Sequence, residues 1–179
     1  MYTNLLFICT GNYYRSRFAE AVFNYHASAR ELSWRAASRG LAVGPTPFPL
    51  SPFAAERLAE LGIPLSHTGR SPSRLSEADL EQAAHAVALQ EREHRPMIAR
   101  LFPAWVERIR FWDIEDVDRS PSAVALPRIE SRVLLLLEEL TGGRSGSPRN
   151  PRRAAGCEAP NGLPDGGQTF SLGQTSAQP

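Results

Sequence analysis

A short apolar run that ends in a loop and continues into a helix is the feature that most constrains how this chain can fold. Residues 5–8 are continuously apolar, and residues 9–12, Cys-Thr-Gly-Asn, include two residues that favour turns. From residue 16 to residue 26, apolar side chains recur at helical spacing. The pattern predicts a buried strand, a tight loop and an amphipathic helix in direct succession.

The alternation of strand and helix continues along the chain. Apolar runs predict three further strands, at residues 34–38, 85–89 and 108–112. Periodicity and capping signals predict further helices at residues 53–61, from Ser76, at 92–102 and at 123–140. Because such units connect by right-handed crossovers, we expect an α/β fold, a doubly wound four-stranded parallel sheet with flanking helices. Ligands bind these sheets beyond the carboxyl ends of the strands, which directs attention to the loop after the first strand.

Composition divides the chain near residue 143. From Gly142 onward, the last 38 residues contain eight glycines and five prolines, with few large apolar residues. Such a segment buries too little apolar surface to offset the entropy lost on ordering. We therefore expect one folded domain over residues 1–143 and a disordered Gly/Pro/Ser-rich tail over residues 144–179.

Charge and hydropathy exclude several classes of partner. The net charge is +1, so no broad basic surface attracts nucleic acid or anionic membranes. The longest purely apolar run, residues 133–137, is far shorter than a membrane span, and no secretory signal is visible. These patterns predict a cytoplasmic protein, and we expect a monomer.

The number and spacing of the cysteines and histidines indicate whether the protein contains disulfides or a metal site. The two cysteines, Cys9 and Cys157, form no disulfide framework and suit a reducing compartment. The four histidines lack metal-ligand spacing, and no nucleotide-binding fingerprint is present. We therefore expect neither a metal nor a cofactor.

The segment from Cys9 to Ser16 has the features of an anion-binding loop. Successive backbone N–H groups in such a loop point inward, and the helix that follows adds partial positive charge. Arg15 can offer two parallel donors to a phosphate, and the same field favours the thiolate form of Cys9, a strong nucleophile towards phosphorus. The Ser16 hydroxyl can donate to that thiolate. The predicted phosphate-binding residues are Thr10, Gly11, Asn12, Tyr13, Tyr14 and Ser16.

Cleavage of a phosphate ester also needs an acid that protonates the departing oxygen. Three aspartates, Asp113, Asp116 and Asp118, follow the predicted fourth strand. In a parallel sheet their loop shares an edge with the loop of Cys9. The residues alone leave these three candidates equal.

These motifs resemble the low-molecular-weight protein tyrosine phosphatase family. The resemblance covers residues 5–140 and is strongest from Cys9 to Ser16, which matches the family's phosphate-binding loop of Cys, five residues, Arg and Ser or Thr. It implies a phosphotyrosine phosphatase I-like fold, with Asn12 bracing the loop in a left-handed conformation.

Three further segments carry the resemblance. Residues 38–40, Ser-Arg-Gly, resemble the family's Ser-Ala-Gly segment. Residues 67–70, His-Thr-Gly-Arg, resemble its His-x-Ala-Arg segment, which supports the loop. Residues 113–116 resemble the stretch that ends in the general acid, and this selects Asp116.

The resemblance implies a cysteine-dependent phosphatase that hydrolyses phosphate monoesters through a phosphocysteine intermediate. Cys9 would be the nucleophile, Arg15 the phosphate clamp and Asp116 the acid. Phosphotyrosine in proteins is the expected substrate, while phosphoarginine and small phosphate esters remain open.

The chain departs from the family pattern in the acid loop and in the phosphate loop. Val117 and Asp118 stand where the family usually has proline and an aromatic residue. Tyr14 stands where many members carry a second cysteine. Tyr13 occupies a position that tunes substrate choice, where an aromatic ring either forms the wall of an aryl pocket or simply packs.

Two alternatives remain. Arsenate reductases share the fold and the loop, but they need further cysteines, and Cys157 lies in the predicted tail. A non-catalytic phosphate-binding pseudophosphatase is the second, kept open by Val117.

Overall fold

Four parallel strands form the centre of the structure. The computed structural model describes residues 3–142, in which the strands are β1 at Thr3–Cys9, β2 at Trp34–Gly40, β3 at His85–Ala88 and β4 at Arg110–Phe111. Their order in the sheet is β2-β1-β3-β4, and every pairing is parallel. The predicted four-stranded α/β sheet is therefore confirmed.

Helices connect and cover these strands. Within residues 3–142 they are α1 at Arg15–Ala29, α2 at Pro52–Glu60, α3 at Glu77–Gln82, α4 at Glu91–Leu101 and α5 at Ser122–Gly142. Short 3₁₀ helices lie at Leu65–His67 and Pro103–Arg108. No helix in this part of the chain combines the length and apolar character that a membrane crossing requires.

Side chains of β1 enter two separate cores. Leu5 and Phe7 pack in one core with apolar residues of α1 and α5, whereas Leu6 and Ile8 pack in a second core with residues of α3 and α4. Successive side chains of a strand point to opposite faces of the sheet. A continuously apolar run is therefore what a strand covered on both faces requires, and it explains why helices flank both sides.

The fourth strand is shorter than the sequence predicts. Only Arg110–Phe111 pair with β3, whereas the predicted strand spans residues 108–112. Pro103 opens a 3₁₀ helix that runs to Arg108, because the fixed φ of proline suits the first position of a helical turn. Trp112 N still donates to Ala88 O at 2.8 Å, which keeps the chain beside β3 as it enters the acidic segment.

The predicted tail, residues 144–179 with Cys157, lies outside the described residues. The domain boundary near residue 143 therefore stays a prediction.

β1 and β2 end together where the loop after β1 begins. Cys9 and Gly40 are partners in the strand register, and Leu41 N donates to Cys9 O at 3.0 Å. A Cβ atom on Gly40 would lie 2.6 Å from Val43 Cγ2 and 2.9 Å from Thr10 O. Only glycine allows this close approach of β2 to the loop.

We expect Gly40→Ala to lower the free energy of unfolding by about 2 kcal/mol, because a methyl group there must displace the backbone of the loop. Gly44→Ala is the matched control, since a Cβ on Gly44 meets no atom within 4 Å. Its effect should stay within about 1 kcal/mol. Urea unfolding of both variants measures the difference, and equal stabilities would contradict the steric argument.

Candidate active site

The loop between β1 and α1 is braced by the side chain of Asn12. Asn12 has φ of 50°, in the left-handed region that asparagine tolerates better than most residues. Its Nδ2 donates to Ser16 Oγ at 3.0 Å and to Ser38 Oγ at 2.8 Å, and its Oδ1 accepts from Ser73 N at 2.7 Å. One amide thus ties the loop to α1, to β2 and to the segment before α3. Gly11, the other predicted turn residue, does not adopt a positive φ.

Cys9 lies at the carboxyl end of β1 and is buried. Asn12 N donates to Cys9 Sγ at 3.3 Å, and Ser16 Oγ lies 3.0 Å from the same sulfur. Because Ser16 Oγ already accepts from Asn12, its own proton is available to the sulfur. Two donors and the N-terminus of α1 therefore converge on Sγ, the atom predicted to attack phosphorus.

A second set of buried side chains forms hydrogen bonds with Ser38, a partner of Asn12. Ser38 Oγ and Thr68 Oγ1 donate to Glu20 Oε2 at 2.6 and 2.8 Å. Burial raises the pKa of Glu20, although these two hydroxyls and the nearby Arg17 act in the opposite direction. The hydrogen bonds therefore run without a break from Asn12 through Ser38 to Glu20.

Arg17 links two loops to α1 through hydrogen bonds. Its Nε donates to Thr68 Oγ1 at 2.8 Å and its Nη1 to Pro49 O at 2.9 Å, while Nη2 donates to Gly69 O. The residue is almost wholly buried. Sequence reasoning missed both Arg17 and Glu20, although two opposite charges three residues apart within the predicted helix were a visible signal.

The segment of residues 67–70 supports the loop through residues other than its histidine. Thr68 and Gly69 make the contacts described above. The ring of His67 instead packs edge-on against Tyr25, with centroids 5.5 Å apart. The side chain of Thr68 contacts α1 and reaches the loop only through Glu20 and Ser38.

Arg15 is completely buried and meets two carboxylates. Nη1 donates to Glu93 Oε2 at 2.9 Å and to Ile114 O at 3.2 Å, and Nη2 donates to Asp116 Oδ2 at 2.5 Å. The Nε–H group is buried without a partner. A buried polar group without a partner is costly, so this donor marks a place that a ligand can fill.

Glu93 is a further site residue that sequence reasoning missed. It lies in the first turn of α4, where the helix dipole favours a carboxylate. Besides Arg15 it accepts from the Thr10 hydroxyl. Burial alone would raise the pKa of Glu93, but the hydrogen bonds from Arg15 and Thr10 hold it below its usual value. Its position just after β3, at the edge of the sheet that carries Cys9, was the available signal.

The three candidate acids occupy different places. Asp116 reaches Arg15, as described. Asp113 instead accepts from Gln90 Nε2 at 2.9 Å. Asp118 lines a cavity of about 520 Å³ that Asp116 also lines. Of the three aspartates, the structure brings Asp116 into contact with Arg15.

A cavity of about 570 Å³ opens over the loop. Its walls carry Cys9, Tyr13, Phe48, Phe53, Glu93 and Asp116 among others. Phe48 is 55% exposed, so its ring is available to a ligand at the rim. Tyr14 also lines the cavity, and its buried hydroxyl has no partner. Burial, followed by the charge of Asp116, raises the pKa of Tyr14 to about 12.

Known proteins share this fold and sequence pattern. A family model described as low molecular weight phosphotyrosine protein phosphatase matches residues 4–141. The chain belongs to this family. It is therefore a hydrolase of the phosphatase type, and the predicted resemblance is confirmed.

Individual relatives of this phosphatase agree with that assignment. A Bacillus subtilis (strain 168) protein named protein-arginine-phosphatase is 32% identical over 106 residues, which cover 59% of this chain and 67% of that protein. A low molecular weight protein tyrosine phosphatase from T. tengcongensis is 31% identical, with a TM-score of 0.63 over 79% of this chain and 99% of the other. The crystal structure of YfkJ from Bacillus subtilis, 22% identical, shows the same fold with a TM-score of 0.72 over 80% of this chain and 98% of the other.

His94 is a fully buried neighbour of the phosphatase site. Its Nδ1 accepts from Gln90 N at 3.0 Å, so the ring proton belongs on Nε2, which lies 3.5 Å from Glu93 Oε2. Burial, followed by the positive charge of Arg15, lowers the pKa of His94 to about 4. The ring is therefore neutral near pH 7.

This histidine makes the stability of the phosphatase depend on pH. Between pH 6.5 and about 4 the unfolded chain protonates His94 while the folded protein does not, so stability is lost as the pH falls. Over that window we expect the free energy of unfolding to fall by about 3 kcal/mol more in the wild type than in His94→Asn. Urea titrations at several pH values measure this, and parallel pH profiles would contradict it.

Proposed function

We propose that this phosphatase hydrolyses phosphotyrosine in proteins through a phosphocysteine intermediate, with Cys9 as nucleophile, Arg15 as phosphate clamp and Asp116 as general acid. The observation that carries the proposal is the convergence of donors on Cys9 Sγ beside a buried Arg15 whose Nε–H is unpaired. A tetrahedral phosphate in the loop would meet backbone N–H groups and this guanidinium together.

In the first step the Cys9 thiolate attacks phosphorus. The S–P bond forms while the bond from phosphorus to the tyrosine oxygen breaks, and the electron pair of the broken bond goes to that oxygen. Asp116 gives the oxygen its proton, so neutral tyrosine leaves. Ser16 stabilises the sulfur whenever it is the anion.

In the second step a water molecule attacks the same phosphorus. Asp116, now a carboxylate, takes a proton from the water, and the S–P bond breaks. The electron pair returns to Cys9 Sγ, and inorganic phosphate leaves. Arg15 neutralises charge on the phosphoryl oxygens in both steps.

Aromatic side chains around the cavity support an aryl substrate. Tyr13, Phe48 and Phe53 line its walls, and faces of aromatic rings are favourable neighbours for the ring of a phosphotyrosine. In this chain the aromatic wall comes from the phosphate loop, from the proline-rich loop before α2 and from the first turn of α2, whereas the acid loop contributes Val117.

Phosphoarginine is the second candidate. It is favoured by the relative named protein-arginine-phosphatase and by the two carboxylates, Glu93 and Asp116, that line the cavity. Carboxylates of this kind would suit a positively charged leaving group.

Two peptides that differ only in carrying phosphotyrosine or phosphoarginine separate the candidates. We expect kcat/KM to be at least about tenfold higher for phosphotyrosine, and Tyr13→Ala to lower that value by up to about tenfold through the lost ring contact. Cys9→Ser should abolish hydrolysis of both. A preference for phosphoarginine would replace the substrate assignment, and turnover by Cys9→Ser would refute the mechanism.

The general acid is tested by the leaving group. Asp116→Ala should slow phenyl phosphate by roughly 10²–10⁴-fold while slowing an activated nitrophenyl ester much less, because a good leaving group needs no proton. Asp118→Ala is the matched control and should affect both esters equally. If Asp118→Ala shows the dependence on leaving group instead, Asp118 is the acid.

A further inference from the structure

Arg15 has two carboxylate partners, and they occupy different parts of its guanidinium. The group carries five N–H donors. Both hydrogens of Nη1 have acceptors, namely Glu93 Oε2 at 2.9 Å and Ile114 O at 3.2 Å. Nη2 donates to Asp116 Oδ2, and Nε–H has no acceptor. Nε–H is therefore free for a ligand, whereas Nη2 is shared with Asp116.

Nε–H and Nη2 together form one edge of the guanidinium, and Nη1 lies outside that edge. Nε–H and an Nη2–H point in parallel, the fork that binds two oxygens of a phosphate. Asp116 contacts Nη2 and so touches the edge that the phosphate needs. Glu93 contacts Nη1 and leaves that edge open.

The two carboxylates also differ in the hydrogen bonds that hold their second oxygens. Glu93 lies on α4, and its second oxygen accepts from Thr10, so both oxygens are engaged by the site. Asp116 lies in the segment between β4 and α5, and its second oxygen accepts only from the adjacent Val117 N, at 2.7 Å. An incoming phosphate therefore displaces Asp116 at a lower cost than Glu93.

The geometry points to a division of roles: Glu93 is the positioning residue that keeps Arg15 under the cavity, while phosphate takes the place of Asp116 on Nη2. The inference rests on the proposed phosphate site. Displacement brings Asp116 beside an anion and removes its cationic partner. Arg15, Glu93 and the Tyr14 hydroxyl are the groups that face it there.

Tungstate, a tetrahedral oxyanion, tests the displacement of Asp116 without turnover. Asp116→Asn removes the competing charge from the phosphate edge, so calorimetry should show about tenfold tighter binding than in the wild type. Glu139→Gln is the matched control, because it removes one carboxylate from the exposed pair with Arg110. Equal affinities of wild type and Asp116→Asn, or the same tightening in Glu139→Gln, would overturn the displacement.

Two substitutions of Glu93 test the positioning role. Glu93→Gln keeps a side-chain oxygen for Arg15 or Thr10 and should retain kcat within about threefold. Glu93→Ala removes both contacts and should lower kcat by about tenfold or more, at an unchanged apparent affinity for a small aryl phosphate. Equal losses in the two variants would show that only the charge matters and would overturn positioning. If Glu93→Ala instead lowers kcat/KM entirely through a higher KM, the positioning role is likewise overturned.

If a variant fails to fold, a crystal structure of the wild-type protein with tungstate tests the inference directly. Glu93 Oε2 should remain on Nη1 while Asp116 leaves Nη2 to the oxyanion. Retention of Asp116 on Nη2, or departure of Glu93, would overturn the inference. Loss of the proposed function itself would appear separately, as turnover by Cys9→Ser with these binding results intact.

Discussion

The three hydrogen bonds of the Asn12 side chain hold the site together. They join a residue with a left-handed backbone to Ser16, Ser38 and Ser73, which belong to three different segments of the chain. A loop rich in inward-pointing N–H groups has no regular secondary structure to stabilise it. The amide of Asn12 supplies that stability, and the position of the donors around Cys9 follows from it.

Two buried charged residues support the hydrogen-bond partners of Asn12. Glu20 and Arg17 are buried in the first turns of α1, and their hydrogen bonds lead to Ser38, Thr68, Pro49 and Gly69. Breaking such a network leaves a buried charge unpaired, which is strongly destabilising. Because breaking these contacts would cost so much free energy, the network is rigid. A preformed anion-binding loop requires such rigidity.

The fold and the loop were accessible from sequence because local patterns determine them. The apolar run of β1 and the alternation of strands and helices predicted the sheet. The loop was predicted from Gly11 and Asn12 between the end of a strand and the start of a helix. The length of β4 was wrong by three residues, since the 3₁₀ helix after Pro103 depends on packing that periodicity does not encode. Glu93 was missed for a related reason. Its contact with Arg15 joins residues 78 positions apart, and its place just after β3 does not by itself distinguish it from the other charges of α4.

The replacement of a second loop cysteine by Tyr14 has a consequence for oxidation. Within residues 3–142, Cys9 is the sole thiol. When peroxide converts a thiolate to a sulfenic acid, a nearby cysteine can capture it as a disulfide before further, irreversible oxidation. No partner of that kind exists in the described part of the chain, and a tyrosine hydroxyl cannot form a disulfide. Rescue of oxidised Cys9 must therefore come from Cys157 or from a thiol supplied by another molecule.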